Sequence, residues 1–197
     1  MSITNPTTKE MDTMEIYYLH GFNSAPKVNS AKVKSIQTRF PDARVYSPLL
    51  DYRDNNVFVN LKEIALRSNV RFVGTSLGGF VALYLSAVYG CTSYVFNPSI
   101  NPSTSLKRYI GTNTNYVTNE VYEWTESHIS KFEEIEVILD HTDIESYNTK
   151  VFCGTNDDVI PIEIARQYFI DAKLPIREYD DGHRFSKYFE KALFSII

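Results

Sequence analysis

The stretch that decides the fold of this chain is Val70-Arg71-Phe72-Val73-Gly74-Thr75-Ser76-Leu77-Gly78-Gly79-Phe80-Val81-Ala82-Leu83. A β-branched and aromatic run leads into Gly-x-Ser-x-Gly, and an apolar run typical of a helix follows. This order predicts a strand, a tight turn with Ser76 at its apex, and a helix. Gly74 and Gly78 flank the serine because a β-carbon at either position would clash in so sharp a bend. The same residues would also suit a glycine-rich turn whose serine has no chemical role.

Strand-like and helix-like segments alternate on both sides of this turn. Short apolar runs predict strands over residues 15–19, 43–47, 70–73, 93–96, 150–153 and 175–179. Apolar residues at helical spacing predict helices near residues 33–40, 57–68, 77–89, 161–172 and 185–196, the third ended by Gly90. The helix after Ser76 is apolar on most sides, so it should be the most buried. Such alternation predicts an α/β fold with a mostly parallel sheet, helices on both faces, and reactive groups at the carboxyl ends of the strands.

The 197 residues suit a single folded domain. We expect it to span residues 15–197, after a flexible polar tail over residues 1–14. Residues 99–148 are polar and aromatic with weak periodicity, which predicts an irregular, lid-like insertion of short helices and loops. It contributes four large aromatic residues that either line a pocket or pack on the sheet: Tyr109, Tyr116, Tyr122 and Trp124.

Composition and charge exclude several classes of partner. The formal net charge is −4 and no basic tract is present, so nucleic acid is not an expected partner. Cys91 and Cys153 lie far apart in apolar segments, which favours reduced thiols over a disulfide. Neither a signal-like stretch nor a run of membrane-spanning length stands out in the sequence. We therefore expect a cytoplasmic protein without a membrane span.

Three predicted loops each follow a strand and carry a reactive side chain. They contain Ser76, then Asp157 or Asp158, then His183, and this order is the one found in α/β-hydrolases. A serine hydroxyl needs a base, which His183 can supply, and a carboxylate on the far ring nitrogen fixes the tautomer of that base. Residues 154–161 resemble the Gly-x-x-Asp-x-Val-x-Pro stretch of many α/β-hydrolases, in which the acid falls at Asp157, and Asp158 could instead cap the helix that Pro161 opens.

An attacked carbonyl oxygen becomes negative and needs hydrogen-bond donors that are already in place. The backbone N–H of Leu77, directly after the serine, is one expected donor. The other should come from the loop after the first strand, with Phe22 preferred to Asn23. His20 precedes this loop and is expected to brace it by hydrogen bonding rather than to react.

The remaining histidines have weaker claims. His128 lies in the irregular region, where it lines the pocket, supports it from behind, or is a surface residue. His141 looks exposed, and with Asp140 and Asp143 it could mimic a metal cluster, but nothing orients these side chains. We therefore expect no metal and no cofactor.

Several segments together resemble the YqiA-like small esterases of the α/β-hydrolase superfamily. They are residues 18–24, 74–79, 97–98, 109–111, 127–128 and 182–185, and the resemblance runs from about residue 15 to the end. It implies a three-layer fold without a large cap domain. It also implies a serine hydrolase acting on carboxylic esters or acyl thioesters, with Ser76, Asp157 and His183 as its triad. The polar tail and the Asp-Gly-His sequence before Arg184 depart from the family pattern.

Three functions compete at this stage. The first is an esterase or thioesterase that forms an acyl-Ser76 intermediate from a small-molecule substrate. The second is an acyltransferase in which an alcohol or thiol replaces water. The third is a binding module on a hydrolase fold, against which the presence of all three reactive side chains argues.

Overall fold

A computed structural model describes residues 13–27, 29–142 and 148–195 of the chain. In chain order its elements are β1 (Glu15–Leu19), α1 (Ala31–Arg39), β2 (Arg44–Tyr46), α2 (Asn56–Ala65), β3 (Val70–Thr75), α3 (Leu77–Tyr89), β4 (Thr92–Phe96), α4 (Pro102–Ser105), a 3₁₀ turn (Leu106–Tyr109), β5 (Gly111–Thr114), β6 (Val121–Trp124), α5 (Glu126–Asp140), β7 (Thr149–Gly154), α6 (Ile162–Asp171), β8 (Ile176–Tyr179) and α7 (Phe189–Phe194). Six strands form one sheet in the order β2-β1-β3-β4-β7-β8, and every neighbouring pair is parallel. The predicted parallel sheet is confirmed.

Helices cover both faces of this sheet. Alternate residues of β1 point to opposite faces, so Ile16 and Tyr18 pack with α1 and α7, whereas Tyr17 and Leu19 pack with α2, α3, α5 and α6. The result is a three-layer arrangement with an apolar core on each side of the sheet. The carboxyl ends of all six strands meet at one edge, where loops from β1, β3, β7 and β8 lie side by side.

Helix α3 is buried as its sequence predicts. Ten of its thirteen residues are buried, and Gly90 ends it in the left-handed conformation with φ of 70°. The turn that carries Ser76 therefore leads directly into the most buried of the described helices.

The expectation of an irregular region over residues 99–148 was wrong for most of its described part. This part contains α4, the 3₁₀ turn, an antiparallel β5–β6 hairpin, and α5, which is fifteen residues long. Helix α5 buries four residues spaced three or four apart, namely Ile129, Phe132, Ile135 and Leu139. That spacing is the ordinary signal of an amphipathic helix, but the many charged residues between these positions obscured it.

The last helix is shorter than predicted. It covers Phe189–Phe194, and Phe185 precedes it in a loop with φ of 44° and a fully buried ring. Residue 196 and most of the expected tail, residues 1–12, lie outside the described residues, so those predictions and the division into tail and domain remain predictions.

Two further observations concern compartment and redox state. No helix among the described residues is both long and apolar enough to cross a membrane. Cys91 is partly buried, Cys153 is buried, and both are free thiols. Burial raises the pKa of the Cys153 thiol to about 12, so it remains protonated at neutral pH.

Candidate active site

The turn between β3 and α3 holds Ser76 in a strained backbone conformation. Ser76 has φ of 54° and ψ of −124°, a region that residues with a side chain rarely adopt. A β-carbon on Gly74 would overlap the backbone of Gly78. A β-carbon on Gly78 would overlap the carbonyl groups of Leu19 and His20. Both glycines are therefore required by direct backbone contacts, and the bend turns the serine out of the sheet.

The structure brings the serine together with the predicted histidine and aspartate. His183 Nε2 lies 3.1 Å from Ser76 Oγ. On the other side of the ring, His183 Nδ1 lies 2.9 Å from Asp157 Oδ2 and 3.0 Å from Oδ1. Because the carboxylate accepts the Nδ1 proton, Nε2 is left free to accept the proton of the serine hydroxyl.

Asp157, and not Asp158, makes this contact. The side chain of Asp157 is 1% exposed, and its Oδ1 also accepts the N–H groups of Val159 and Ile160, each at 2.8 Å. These bonds orient the carboxylate independently of its contact with the histidine. Asp158 is exposed, and the following helix has no side-chain cap, so the suggested capping role of Asp158 was wrong.

A second aspartate, Asp181 of the Asp-Gly-His sequence, shapes the histidine loop. The carboxylate of Asp181 is buried and accepts the N–H groups of Gly182 at 2.9 Å, Ser186 at 3.3 Å and Tyr188 at 2.7 Å. The Asp-Gly-His departure from the family pattern thus supplies a carboxylate that folds the loop around His183.

Lys32 of α1 reaches the same loop. Its ammonium group donates to the carbonyl of Arg184 at 2.5 Å and lies 5.3 Å from the centre of the Phe189 ring. Burial lowers the pKa of Lys32 to about 8, although the nearby Asp181 carboxylate opposes this shift.

The two expected oxyanion donors are the backbone N–H groups of Phe22 and Leu77. Neither the N–H of Phe22 nor that of Leu77 hydrogen-bonds to another residue in the described part of the chain. The loop after β1 approaches so closely that a β-carbon on Gly21 would lie 3.2 Å from Ser76 Cβ and 3.6 Å from its Oγ. Gly21, the residue directly before Phe22, therefore lies against the Ser76 side chain.

His20 is buried behind this loop in a neutral form. Its Nδ1 lies 3.0 Å from the carbonyl of Gly21, and its Nε2 accepts the N–H of Leu50 at 3.1 Å. One nitrogen must donate and the other must accept, so protonation of the second nitrogen would break a bond. Burial lowers the pKa of His20 accordingly. The His20 ring therefore braces the loop, as expected. Among the described residues its nitrogens bond to Gly21 and Leu50 and not to Ser76, Asp157 or His183.

Asn23 connects the same loop to the β5–β6 hairpin. It has φ of 52°, its carbonyl accepts the N–H of Tyr116 at 2.9 Å, and its side-chain oxygen accepts the hydroxyl of Tyr122. Asn115 Nδ2 donates to the carbonyl of Ser24 at 2.9 Å. Asn23 is therefore a support for the loop, and the hairpin is the element that holds it.

Aromatic rings extend this support away from the serine. Phe22 packs against Tyr109 at 5.1 Å and edge-to-face against Trp124 at 4.9 Å between ring centres. Trp124 packs in turn against His128 at 5.0 Å. His128 Nδ1 accepts the N–H of Thr125 and so caps α5, while burial and the Arg53 guanidinium lower its pKa. His128 thus supports the site from two rings away.

Within the described residues no group of side chains has the arrangement of a metal site. His141 is exposed, and its ring nitrogen hydrogen-bonds to the carbonyl of Val137 rather than to Asp140. Asp143, the third member of the cluster considered above, lies outside the described residues.

A six-stranded parallel sheet with helices on both faces, carrying a serine turn and an Asp–His pair at its carboxyl edge, defines the α/β-hydrolase fold. Solved structures agree. A monoacylglycerol lipase from Paleococcus ferrophilus matches with a TM-score of 0.64 at 14% identity, covering 93% of each chain. An esterase domain from Rhodothermus marinus matches with a TM-score of 0.63 at 13% identity, covering 93% of this chain and 87% of that one. At such low identity these similarities show the fold alone.

The chain belongs to the family described as "Uncharacterised protein family (UPF0227)", whose family model matches residues 15–197. A UPF0227 protein of Shewanella oneidensis is 28% identical over 98 residues, which cover 47% of this chain and 55% of that protein. The chain spans about half the length of the curated relatives it matches. The resemblance read from the sequence motifs is confirmed.

Proposed function

We propose that the protein is a serine hydrolase that cleaves carboxylic esters or acyl thioesters of small molecules through an acyl-Ser76 intermediate. The observation that carries this proposal is the chain of hydrogen bonds from Ser76 Oγ through His183 to Asp157. The positions of Leu77, directly after the serine, and of Phe22, directly after the Gly21 that lies against Ser76, also support it.

The reaction follows from this geometry. Ser76 Oγ attacks the carbonyl carbon while its proton passes to His183 Nε2, and the carbonyl oxygen becomes negative between the N–H groups of Phe22 and Leu77. The imidazolium, stabilised by Asp157, then gives the proton to the departing alkoxide or thiolate. A water molecule, deprotonated by the same nitrogen, attacks the acyl-serine, releases the carboxylic acid and restores the hydroxyl.

A fluorophosphonate probe tests the proposal, because it labels an activated serine without requiring knowledge of the substrate. Wild type should label rapidly, and Ser76→Ala and His183→Ala should not label. Ser99→Ala is the matched control, because its backbone N–H donates to the Ser76 carbonyl at 3.0 Å and is retained in the variant. Folded wild-type protein that resists the probe would overturn the proposal.

Hydrolysis of a panel of p-nitrophenyl esters and acyl thioesters then gives magnitudes. We expect kcat to fall about 10⁴–10⁶-fold in Ser76→Ala and about 10³–10⁴-fold in Asp157→Asn, since members of such a triad act as a unit. Addition of alcohol or thiol acceptors to the same reactions separates hydrolysis from acyl transfer.

A further inference from the structure

We infer that Asn97, which the proposed mechanism does not use, is a positioning residue that holds the histidine and aspartate loops in register with the nucleophile turn. Asn97 follows β4, is 3% exposed, and has a left-handed backbone with φ of 44°. This inference rests on the proposed function, because the residues that it positions are those of the candidate triad.

The side chain of Asn97 uses both its donors and its acceptor on backbone groups of two loops. Its Nδ2 donates to the carbonyl of Gly182 at 2.9 Å and to the carbonyl of His183 itself at 3.0 Å. Its Oδ1 accepts the N–H of Gly154, which ends β7 just before the Asp157 loop, at 2.6 Å. One amide group therefore sets the distance between the end of β7 and the residue that carries the base.

The backbone next to this side chain also reaches the serine. The carbonyl of Phe96 accepts the N–H of Ser76 at 3.1 Å, and the N–H of Asn97 donates to the carbonyl of Phe152 at 2.8 Å. Residues 96 and 97 thus contact the serine turn, the strand before the aspartate and the histidine loop.

An amide is the group that this place requires. Two carbonyl oxygens need donors and one N–H needs an acceptor, and an asparagine side chain supplies both in one plane. A left-handed backbone is also tolerated better by asparagine than by most other residues with a side chain. A carboxylate of the same shape would keep the bond from Gly154 but place a negative oxygen against the carbonyls of Gly182 and His183.

Two variants of this residue test the inference by their rates of fluorophosphonate labelling. Asn97→Gly removes the side chain without straining the left-handed backbone, and Asn97→Asp keeps the acceptor alone. Both should label about 10–10²-fold more slowly than wild type, since a small displacement of a base lowers the rate by such factors. Asn101→Gly is the matched control, because Asn101 has φ of 46°, is exposed and caps nothing with its side chain, so its labelling rate should be unchanged.

A pH comparison separates positioning from a general loss of structure. In Asn97→Asp the new carboxyl group is buried against two carbonyls, which favours its protonated form. Once protonated it again donates to one of them, so the labelling rate relative to wild type should rise several-fold from pH 8 to pH 6. The same ratio for Asn97→Gly should stay flat, and a flat ratio for both variants would contradict the inference.

Proton NMR gives a readout that does not depend on hydrolysis. The Nδ1 proton shared between His183 and Asp157 should give a downfield signal that is absent in His183→Ala and weakened or shifted in Asn97→Gly. The Nδ1 proton of His20 lies in another loop and serves as the internal reference. If the probe does not label wild-type protein, the proposed function is wrong. If both Asn97 variants label at the wild-type rate and keep the His183 signal unchanged, this inference is wrong while the proposed function stands.

Discussion

The turn that carries Ser76 and the loop after β1 face each other across the candidate site, yet they keep their shapes by different means. The turn is fixed by backbone contact: glycines at 74 and 78 allow main chains to touch where any β-carbon would overlap them. The loop is fixed by side chains from elsewhere, with His20 beneath it and the β5–β6 hairpin holding Asn23 from the other side. The turn is held by main-chain contacts, within itself and with Leu19 and His20, whereas the loop is held by side-chain contacts between residues 91 and 99 positions apart.

This difference predicts unequal responses to mutation. A main-chain contact cannot yield to an added atom, whereas a network of side-chain hydrogen bonds can lose one member and adjust. Changes in the turn should therefore abolish activity, and changes in the supports of the loop should reduce it. Three experiments, from the largest expected effect to the smallest, test this contrast.

Gly78→Ala should have the largest effect. Its β-carbon would overlap the carbonyls of Leu19 and His20, and relief of that overlap moves the start of the oxyanion loop away from Ser76. We expect kcat/KM for a p-nitrophenyl ester to fall about 10²–10³-fold, the effect of losing one oxyanion donor. Gly90→Ala, at the far end of the same helix, is the control, and it should lower only the melting temperature because its φ is 70°. Near-wild-type activity of Gly78→Ala would show that the turn is not held by this contact.

Tyr122→Phe should have an intermediate effect. It removes the hydroxyl that donates to the buried side chain of Asn23 and leaves that acceptor unpaired, at a cost of about 1–2 kcal/mol. If that energy is lost from the ordered loop, kcat/KM falls about 10-fold. Tyr116→Phe is the matched control, since the Tyr116 ring is 75% exposed and only its backbone contacts Asn23. Equal kcat/KM values in Tyr122→Phe and Tyr116→Phe would show that the hairpin does not support the loop after β1.

His20→Asn should have the smallest effect, seen in the pH dependence of stability. Burial lowers the pKa of folded His20 below its ordinary 6.5, so the unfolded chain binds a proton that the folded chain refuses. The free energy of unfolding therefore falls as the pH drops below about 6.5, by at most about 1.4 kcal/mol per pH unit for this one group. The free energy of unfolding, measured with urea between pH 5 and pH 7, should therefore change less steeply with pH in His20→Asn than in wild type.

Tyr52→Phe is the control for this pH dependence of the free energy of unfolding. It removes a hydroxyl that donates to the His20 carbonyl at 2.9 Å, so it should lower stability without changing the titrating group. If the free energy of unfolding changes equally with pH in wild type, His20→Asn and Tyr52→Phe, His20 is excluded as a source of the pH dependence.

The same contrast explains what the sequence could and could not predict. Ser76, Asp157 and His183 each follow a short apolar run, so their strands and their meeting at one sheet edge could be read from local pattern. Gly74 and Gly78, which flank Ser76, likewise indicated a strained backbone at the serine. The choice of Asp157 over Asp158 came from the resemblance to other α/β-hydrolases rather than from residue type.

The supports of the site were not predictable by these means. The first strand of the hairpin reads Gly-Thr-Asn-Thr, which has no apolar side chain to signal a strand, and the second, Val-Tyr-Glu-Trp, is only four residues long. Asn97 stood out in the sequence only as part of the family resemblance and with no role of its own, since its partners Gly154 and His183 lie 57 and 86 positions away. Hydrogen-bonding side chains of this kind have no periodicity, so only the folded structure identifies them.

The separation between Ser76 and His183 also bears on how the chain folds. Their hydrogen bond joins positions 107 apart, and the histidine follows β8, the edge strand that pairs only with β7. Parallel strands brought together across long separations form slowly, because loop-closure entropy is lost before the contacts are gained. The serine turn can therefore form before His183, the proposed base, is in place, and we expect recovery of probe labelling on refolding to follow docking of the last strand rather than collapse of the core.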